Sequence, residues 1–204
     1  MKQQLLTMLE LQDAMNAKVN QDWRERQHEW YRAIWVECAE LMDHHGWKWW
    51  KKQEIDREQV LLELVDIWHF GLSDLLMTEE GAEQCASLIE SKLNLNVEVD
   101  DFLDSVETFA CATLNQRHFD IAGFAQLMAG IDFGFDELYG RYVGKNVLNF
   151  FRQDHGYKDG SYQKIWQGKE DNEHLVELVE SLDHSAEDFK DQLYAGLKSR
   201  YPSS

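Results

Sequence analysis

The chain has 204 residues, of which 44% are hydrophobic and 12% aromatic, and such a composition supports a sizeable core and excludes intrinsic disorder. Its 20 basic and 38 acidic residues give a formal net charge of −18. This charge disfavours binding to nucleic-acid backbones and to anionic membranes. Because no run of about 18 apolar residues occurs, no transmembrane helix is expected.

The cysteines and the N-terminus indicate a cytoplasmic protein. Cys38, Cys85 and Cys111 are scattered, odd in number and without a CxxC motif, which favours reduced thiols over a zinc site. The N-terminal MKQQLLTMLELQDAMN interrupts its apolar positions with Gln, Glu and Asp, unlike a secretory signal.

Apolar spacing predicts an all-α chain without a convincing strand, folded as a single domain over residues 1–204. Asp56 is the expected cap of the third helix, with Gln59 in capping-box position. The aromatic segment WKWWKK interrupts the chain between the second and third helices. Helices are expected over residues 3–20, 22–44, 56–76, 79–94, 98–116, 120–130, 134–154 and 172–182, and from a cap at Ser185 to about 198.

Two acidic pairs stand on successive predicted helices. Glu37 and Glu40 lie in IWVECAEL, and Glu63 and Asp66 lie in LLELVDIWHF. Residues three apart share one helix face, so packing of the two helices would bring four carboxylates together. Carboxylates in apolar surroundings need cations or protons, and an all-oxygen ligand set selects a hard ion. The pattern therefore predicts a Mg²⁺ site, with Mn²⁺ as a substitute.

Two other interpretations of the acidic residues stay open at this point. Each pair is also compatible with a solvated helix face. A di-iron bundle would use Glu-x-x-His pairs, which Glu25 with His28 matches and Asp66 with His69 matches loosely. Neither residue of the first acidic pair is followed by a histidine three positions later, which disfavours this second interpretation.

Cations concentrate in the segment YVGKNVLNFFRQDHGYKDGSY. Lys145, Asn149 and Arg152 fall at i, i+4 and i+7 and form one polar stripe of a helix, which the glycine of HGYK can end. Tyr157 and Lys158 follow that glycine. These side chains suit phosphate oxygens, although a basic face with surface ion pairs would show the same pattern.

Aromatic and amide side chains are candidates for contacting a nucleobase. Trp47, Trp49 and Trp50 could stack on a base, while core packing is the expected role of most of them. Gln12 and Asn16 share a helix face, and their amides could bind both a carbonyl and an imide N–H. The amide pair is equally compatible with an ordinary surface.

The motifs together carry a family resemblance. Glu-x-x-Glu, a gap of 22 residues and Glu-x-x-Asp resemble the all-α NTP pyrophosphohydrolases, which include MazG-like proteins. LQDAMN, WKWWK, ELVDIWHF and KNVLNFFRQDHGYKDGSY, in this order over about residues 11–162, resemble the dimeric dUTPases. The resemblance implies an all-α multi-helix bundle with a four-helix catalytic core, acting as a homodimer.

The resemblance also implies an activity and the residues for it. The expected reaction is Mg²⁺-dependent hydrolysis of dUTP to dUMP and pyrophosphate, which limits uracil in DNA and supplies dUMP, with dUDP as a further substrate. The implied metal ligands are Glu37, Glu40, Glu63 and Asp66, and Glu37 or Glu40 would also activate the attacking water. The implied phosphate-binding residues are Lys145, Arg152, Tyr157 and Lys158. The implied nucleoside-binding residues are Gln12, Asn16, Trp50, Asn149 and Phe70, the last of them against the deoxyribose.

Two other functions are compatible with the sequence. A relative that hydrolyses dCTP or several dNTPs would use the same metal and phosphate residues and would differ in the base pocket. A non-catalytic helical binding protein would show no Mg²⁺-dependent loss of nucleotide, and it would leave the polar stripe of the basic segment unexplained.

Overall fold

The computed structural model describes residues 1–79, 81–184, 186 and 188–202. Over this part of the chain it is all-α, as predicted, with one short hairpin. No helix among the described residues is both long and apolar enough to cross a membrane. The helices are α1 (Lys2–Val19), α2 (Trp30–His45), α3 (Arg57–Thr78), α4 (Ala82–Lys92), α5 (Phe102–Gln116), α6 (Ile121–Gly130), α7 (Phe135–Asp154), α8 (Asp171–Ser181) and α9 (Phe189–Arg200). The expected cap at Ser185 lies outside the described residues.

The chain divides into two compact units, residues 1–138 and 139–204. In the first unit, α3 packs against α1, α2 and α4, and α5 packs against α2 and α6. Trp68 of α3 is fully buried, stacking on Phe124 at 5.2 Å and meeting the edge of Phe119 at 5.9 Å. A helix that is apolar on nearly every side belongs inside a core, and α3 takes that place. The single domain expected over residues 1–204 stays a prediction.

The start of α3 confirms the expected cap. Asp56 is the N-cap, and its Oδ1 accepts a hydrogen bond from the backbone N–H of Gln59 at 3.2 Å. This bond satisfies one of the amide groups that a helix leaves without an internal partner at its N-terminus. The cap fixes where α3 begins and therefore where its two acidic residues lie along the helix.

The expected start of the second helix at residue 22 is wrong, because α2 begins at Trp30. Residues 21–27 form turns, and Gln27 has a left-handed φ of 49°. Trp23 is buried, and its indole Nε1 donates to Asp13 at 3.1 Å. The apolar spacing from residue 23 to 30 therefore arises from a turn that is held against α1, and not from a helix.

The second unit holds most of α7, a hairpin, α8 and α9. The hairpin pairs β1 (Ile165–Trp166) with β2 (Lys169–Glu170), so the expectation of no strand is wrong here. The two turn residues have positive φ, 51° at Gln167 and 82° at Gly168, as in a tight two-residue hairpin turn. Strands of two residues are too short to show an alternating pattern in the sequence.

Candidate active site

Three carboxylates meet between α2 and α3. Glu37 comes from α2, and Glu63 and Asp66 come from α3, one helical turn apart. One oxygen from each lies within 4.8 Å of the others. Glu63 is only 8% exposed, and the other two are partly buried. We call these three residues the carboxylate cluster.

The electrostatics of the carboxylate cluster favour a bound cation. Burial, a hydrogen bond with Glu63 and the negative charge of Asp66 raise the pKa of Glu37 to about 8. A hydrogen bond between two carboxyl groups requires a proton on one of them. A divalent cation can replace this proton and neutralise the remaining charges, and a donor set of oxygens alone suits a hard ion. The residues therefore fit a divalent cation such as Mg²⁺.

Two further residues of α2, Glu40 and His44, follow Glu37 at helical spacing. Glu40 is exposed and is not a member of the carboxylate cluster, although its charge also raises the pKa of Glu37. His44 lies next to the cluster, with its Nε2 at 3.5 Å from Oε1 of Glu63. His44 was missed in the sequence, although it lies seven residues after Glu37 and therefore on the same helix face.

The histidines of the di-iron interpretation do not join the carboxylate cluster. Glu25 and His28 lie in the segment between α1 and α2, and not on a helix. His69 is on α3, but its Nδ1 lies 2.8 Å from Oε1 of Gln12. Within the described residues, the candidate metal group consists of carboxylates.

A buried amide network lies between α1 and α3. Nε2 of Gln12 donates to Oγ of Ser73 at 2.9 Å and to Oδ1 of Asn16 at 3.0 Å. Nδ2 of Asn16 donates to the same Ser73 hydroxyl at 2.9 Å. All three residues and His69 are buried, so the interpretation of the two amides as ordinary surface is wrong.

The network fixes which way each amide points. The Ser73 hydroxyl donates its one hydrogen to the backbone carbonyl of His69 at 3.0 Å, so it accepts from both amides. The amide oxygen of Gln12 then faces His69, whose Nδ1 must carry the hydrogen. Both amide hydrogens of Gln12 are donated within the network, so a base would pair with this amide by replacing one of these bonds. Ser73 was missed in the sequence, although it lies seven residues after Asp66 on the same face of α3.

The tryptophans that follow α2 are exposed. Trp49 is 89% exposed, and Trp47 and Trp50 are each about half exposed. The ring of Trp50 meets the edges of Trp47 and Trp49 at centroid distances of 5.2 and 5.5 Å. Core packing as the main role of these residues is therefore wrong. Phe70, expected near the sugar, stacks on Trp30 with a centroid distance of 6.1 Å.

The basic segment lies in the second unit. Lys145, Asn149 and Arg152 are partly buried on α7, and Tyr157 and Lys158 are exposed beyond its end. The guanidinium carbon of Arg152 lies 6.0 Å from the ring centroid of Tyr157. Arg152 also forms an ion pair at 2.8 Å with the buried Asp171, which was missed in the sequence.

The glycine of HGYK ends α7, as predicted. Gly156 has a left-handed φ of 88°, and the N–H of Tyr157 donates to the carbonyl of Arg152 at 3.0 Å. A hydrogen bond of this span over a left-handed residue is a Schellman motif. A side chain at Gly156 would meet Oγ of Ser161, because its Cβ would lie 1.9 Å from that atom. The turn therefore requires glycine for both its backbone conformation and its packing.

The fold and the carboxylate cluster define a helical protein equipped to hold a divalent cation. A family model described as dUTPase matches residues 4–157, and the chain belongs to this all-α dUTPase family, as its motifs predicted. It is accordingly an enzyme of the dUTP diphosphatase class, a hydrolase of nucleotide metabolism. Enzymes of this family generally use a divalent metal ion. No curated protein matches the chain.

Proposed function

We propose that the protein hydrolyses dUTP to dUMP and pyrophosphate in a Mg²⁺-dependent reaction, with dUDP as a second substrate. The observation that carries the metal dependence is the carboxylate cluster, whose three oxygens lie within 4.8 Å of one another. When bound there, Mg²⁺ would supply positive charge for the phosphates and lower the pKa of a water molecule. The family match supports the nucleotide and the reaction class.

The residues of the site then have distinct tasks. Glu63 and Asp66 of α3, with Glu37 and Glu40 of α2, would hold the cation. Glu37 or Glu40 would take the proton of the attacking water. The position of Glu37 supports this role, because a general base must lie within hydrogen-bond reach of the water, and Glu37 belongs to the cluster that would hold the cation.

The substrate itself would be held by two further groups of residues. The cations and hydroxyl of the basic segment suit phosphate oxygens, and arginine can bind two oxygens at once. The amides of Gln12 and Asn16 support binding of the base, because they can pair with the carbonyl and imide groups of uracil in exchange for the hydrogen bonds that they make to each other and to Ser73. The phosphate-binding group is Lys145, Arg152, Tyr157 and Lys158. The nucleoside-binding group is Gln12, Asn16, Trp50, Phe70 and Asn149.

We also propose that the protein is a homodimer, in accordance with the family resemblance. An apolar groove of about 390 Å³ lies between α2 and α5 in the first unit. Trp35 and Leu114 line it and are both substantially exposed. Exposed apolar surface of this kind marks interaction sites on proteins. A second copy of the chain is the occupant that the resemblance implies.

A cytoplasmic location is the third part of the proposal. It is supported by the three free cysteines, since an odd number of scattered thiols suits a reducing compartment. Fractionation of cells that express the protein at its natural level tests it. Recovery of the protein outside the cytoplasmic fraction would contradict it.

The experiment that tests the activity is a substrate panel. Pyrophosphate release is measured with dUTP, dCTP, dTTP, dATP, dGTP and UTP, in Mg²⁺ and in EDTA. We expect hydrolysis of dUTP to be preferred and to stop in EDTA, because the carboxylate cluster needs a cation to hold the phosphates. With dUDP, release of inorganic phosphate is measured under the same conditions.

Each other outcome of the panel discriminates between alternatives. Preferred hydrolysis of dCTP, or equal hydrolysis of several dNTPs, would keep the reaction class and exclude the proposed base. Hydrolysis that continues in EDTA would contradict the metal dependence. A folded, metal-replete protein that hydrolyses none of the nucleotides would contradict the proposal as a whole.

A further inference from the structure

Asp171 is a fully buried carboxylate in the second unit. It is the first residue of α8, and it is 0% exposed. Its Oδ1 accepts from the backbone N–H of Asn172 at 2.9 Å, and its Oδ2 accepts from the hydroxyl of Tyr162 at 2.9 Å. Its own N–H donates to the carbonyl of Lys164 at 2.9 Å. These bonds fix the position and the orientation of the carboxylate.

The partner of this carboxylate is Arg152 of α7. Nε of Arg152 donates to Oδ2 of Asp171 at 2.8 Å, and Nη2 donates to Oδ1 at 2.9 Å. Two parallel hydrogen bonds of this kind fix the plane of a guanidinium group as well as its position. The side chain of Arg152 is 15% exposed, so the pair lies largely out of water.

The two hydrogen bonds to Asp171 do not use Nη1 of Arg152. Nη1 of Arg152 lies 3.4 Å from Oδ1 of Asn149, a residue of the same polar stripe. Asp171 therefore binds the Nε–Nη2 edge, and Nη1 faces the stripe that also carries Lys145. An arginine oriented in this way can present Nη1 to a phosphate oxygen without first adopting a conformation.

The charges of the pair keep it intact at neutral pH. Burial by itself raises the pKa of Asp171, but the hydrogen bonds and the charge of Arg152 outweigh burial and hold that pKa below its ordinary value. The carboxylate is therefore ionised when a nucleotide arrives. Apolar residues of similar volume stabilise a fold as well as a buried ion pair does, so fold stability alone does not require this pair.

We propose that Asp171 is a positioning residue, which holds the guanidinium of Arg152 in the orientation that binds a substrate phosphate. This inference rests on the proposed function, in which Arg152 is a phosphate-binding residue. Asp171 does not touch the substrate, and it acts through Arg152. Tyr162 supports it by donating to the same carboxylate oxygen.

A double-mutant cycle tests the inference. The variants are Asp171→Asn, Arg152→Met and the combination of the two, and the readouts are kcat, KM and calorimetric binding of a non-hydrolysable dUTP analogue and of inorganic tripolyphosphate. We expect Asp171→Asn to weaken binding and raise KM by about tenfold to a hundredfold, because a displaced guanidinium loses its alignment. In the Arg152→Met background, the same change should alter KM and binding by less than about twofold, because effects that act through one residue are not additive.

A matched control is available on the same helix. Glu177 of α8 also pairs with an arginine, since Nη1 of Arg200 lies 2.7 Å from its Oε2, but this pair is partly exposed and does not involve Arg152. Glu177→Gln should therefore leave KM and binding unchanged. If Asp171→Asn does not fold, Tyr162→Phe replaces it in the cycle, because that change removes one hydrogen bond without leaving a lone buried charge.

The outcomes separate this inference from the proposed function. Losses from Asp171→Asn and Arg152→Met that multiply in the double variant would overturn it, as would an Asp171→Asn protein that binds normally. If the unmodified protein hydrolyses no dUTP, the proposed function fails. The binding cycle with tripolyphosphate then decides alone whether Asp171 positions Arg152 for phosphate: non-additive losses support this role, and additive or absent losses overturn it.

Discussion

Glu63 is the buried member of the carboxylate cluster, and its surroundings make it a poor place for an unpaired charge. It receives the hydrogen bond of the Glu37 carboxyl on one side and lies next to His44 on the other. A carboxylate in this setting costs stability when no cation is present. Its presence is therefore explained by the cation that it would hold, and not by a contribution to the fold.

Replacement of Glu63 by glutamine tests this explanation. We expect Glu63→Gln to reduce turnover by about a hundredfold or more, since the loss of a carboxylate ligand weakens metal binding. Without metal, the variant should be as stable as the unmodified protein or more stable, because like charges are removed from the cluster. Turnover with Mg²⁺ and melting temperatures in EDTA and in Mg²⁺ provide the two measurements.

The control for this change is Glu54→Gln, because Glu54 is exposed and its ion pair with Lys52 lies on the surface. Mg²⁺ should raise the melting temperature of the unmodified protein and of this control, but not that of Glu63→Gln. Full activity in purified Glu63→Gln would contradict the assignment of the metal site.

At the scale of residues, the sequence predicts the side chains whose signal is local. Glu37, Glu63 and Asp66 stand out because helical spacing and apolar neighbours are visible within ten positions. Residues that hold other candidate site residues, such as Gln12 and Arg152, in place have no local signal of this kind. Ser73 acts on an amide 61 positions away, and Asp171 acts on an arginine 19 positions away, so the fold must be known before either is found.

At the scale of elements, a capping residue locates the start of a helix only when the sequence offers one candidate for it. Asp56 caps α3 as expected. The first residue of α5 is Phe102, four residues later than predicted, because Asp101 is the N-cap and its side chain accepts from the N–H of Asp104 at 3.0 Å, while Asp100 beside it is an equally good candidate in the sequence. The segment 21–27 contains good helix formers but forms turns, because the buried Trp23 is hydrogen bonded to α1. Tertiary contacts there override the intrinsic preference.

The end of α7 offers a test at this scale. Gly156→Ala should destabilise the second unit, because a left-handed residue with a side chain costs about 1 kcal/mol and the added Cβ also meets Ser161. Gly160→Ala is the matched control, since Gly160 has a similar φ of 77° but no atom within 4 Å of its added Cβ. Urea unfolding followed by near-ultraviolet circular dichroism measures both.

The difference between the two variants isolates the effect of packing. Gly160→Ala should lower the free energy of unfolding only by the cost of the left-handed backbone, and Gly156→Ala should lower it further. Gly156→Ala should also raise KM for dUTP, because Tyr157 and Lys158 follow this turn. Equal losses of stability in the two variants would show that the contact with Ser161 has no consequence.

At the scale of the whole molecule, the fold class follows from composition and periodicity, and the division of the chain does not. Helical spacing occurs throughout the sequence, and the structure is all-α as predicted. The division into two compact units falls after Leu138, inside α7, where no linker rich in glycine, proline or serine is present. A boundary within a regular helix leaves no compositional signal.

The proposed dimer is testable at this scale. Light scattering after gel filtration should give a mass twice the 24.0 kDa of one chain. Trp35→Glu should shift the protein towards the monomer, because it places a charge in the groove between α2 and α5. Added salt should strengthen the dimer, since each copy carries a formal charge of −18.

Val19→Glu is the control for the groove, because Val19 is also an exposed apolar residue but lies at the end of α1. It should leave the mass unchanged. A monomer at all protein concentrations, or a dimer that Trp35→Glu does not affect, would exclude the groove as the interface.

The contacts of Arg152 have an evolutionary consequence. The family match ends at residue 157, but the side chain that pairs with Arg152 belongs to Asp171. Phe151, which precedes Arg152 in the chain, packs against Tyr201 with a centroid distance of 5.3 Å. The motif and its support are thus encoded in different parts of the gene. A substitution in the region outside the match can alter how the motif works while every motif residue stays the same. Divergence of that region is therefore a route by which relatives with identical motifs can come to differ in substrate affinity.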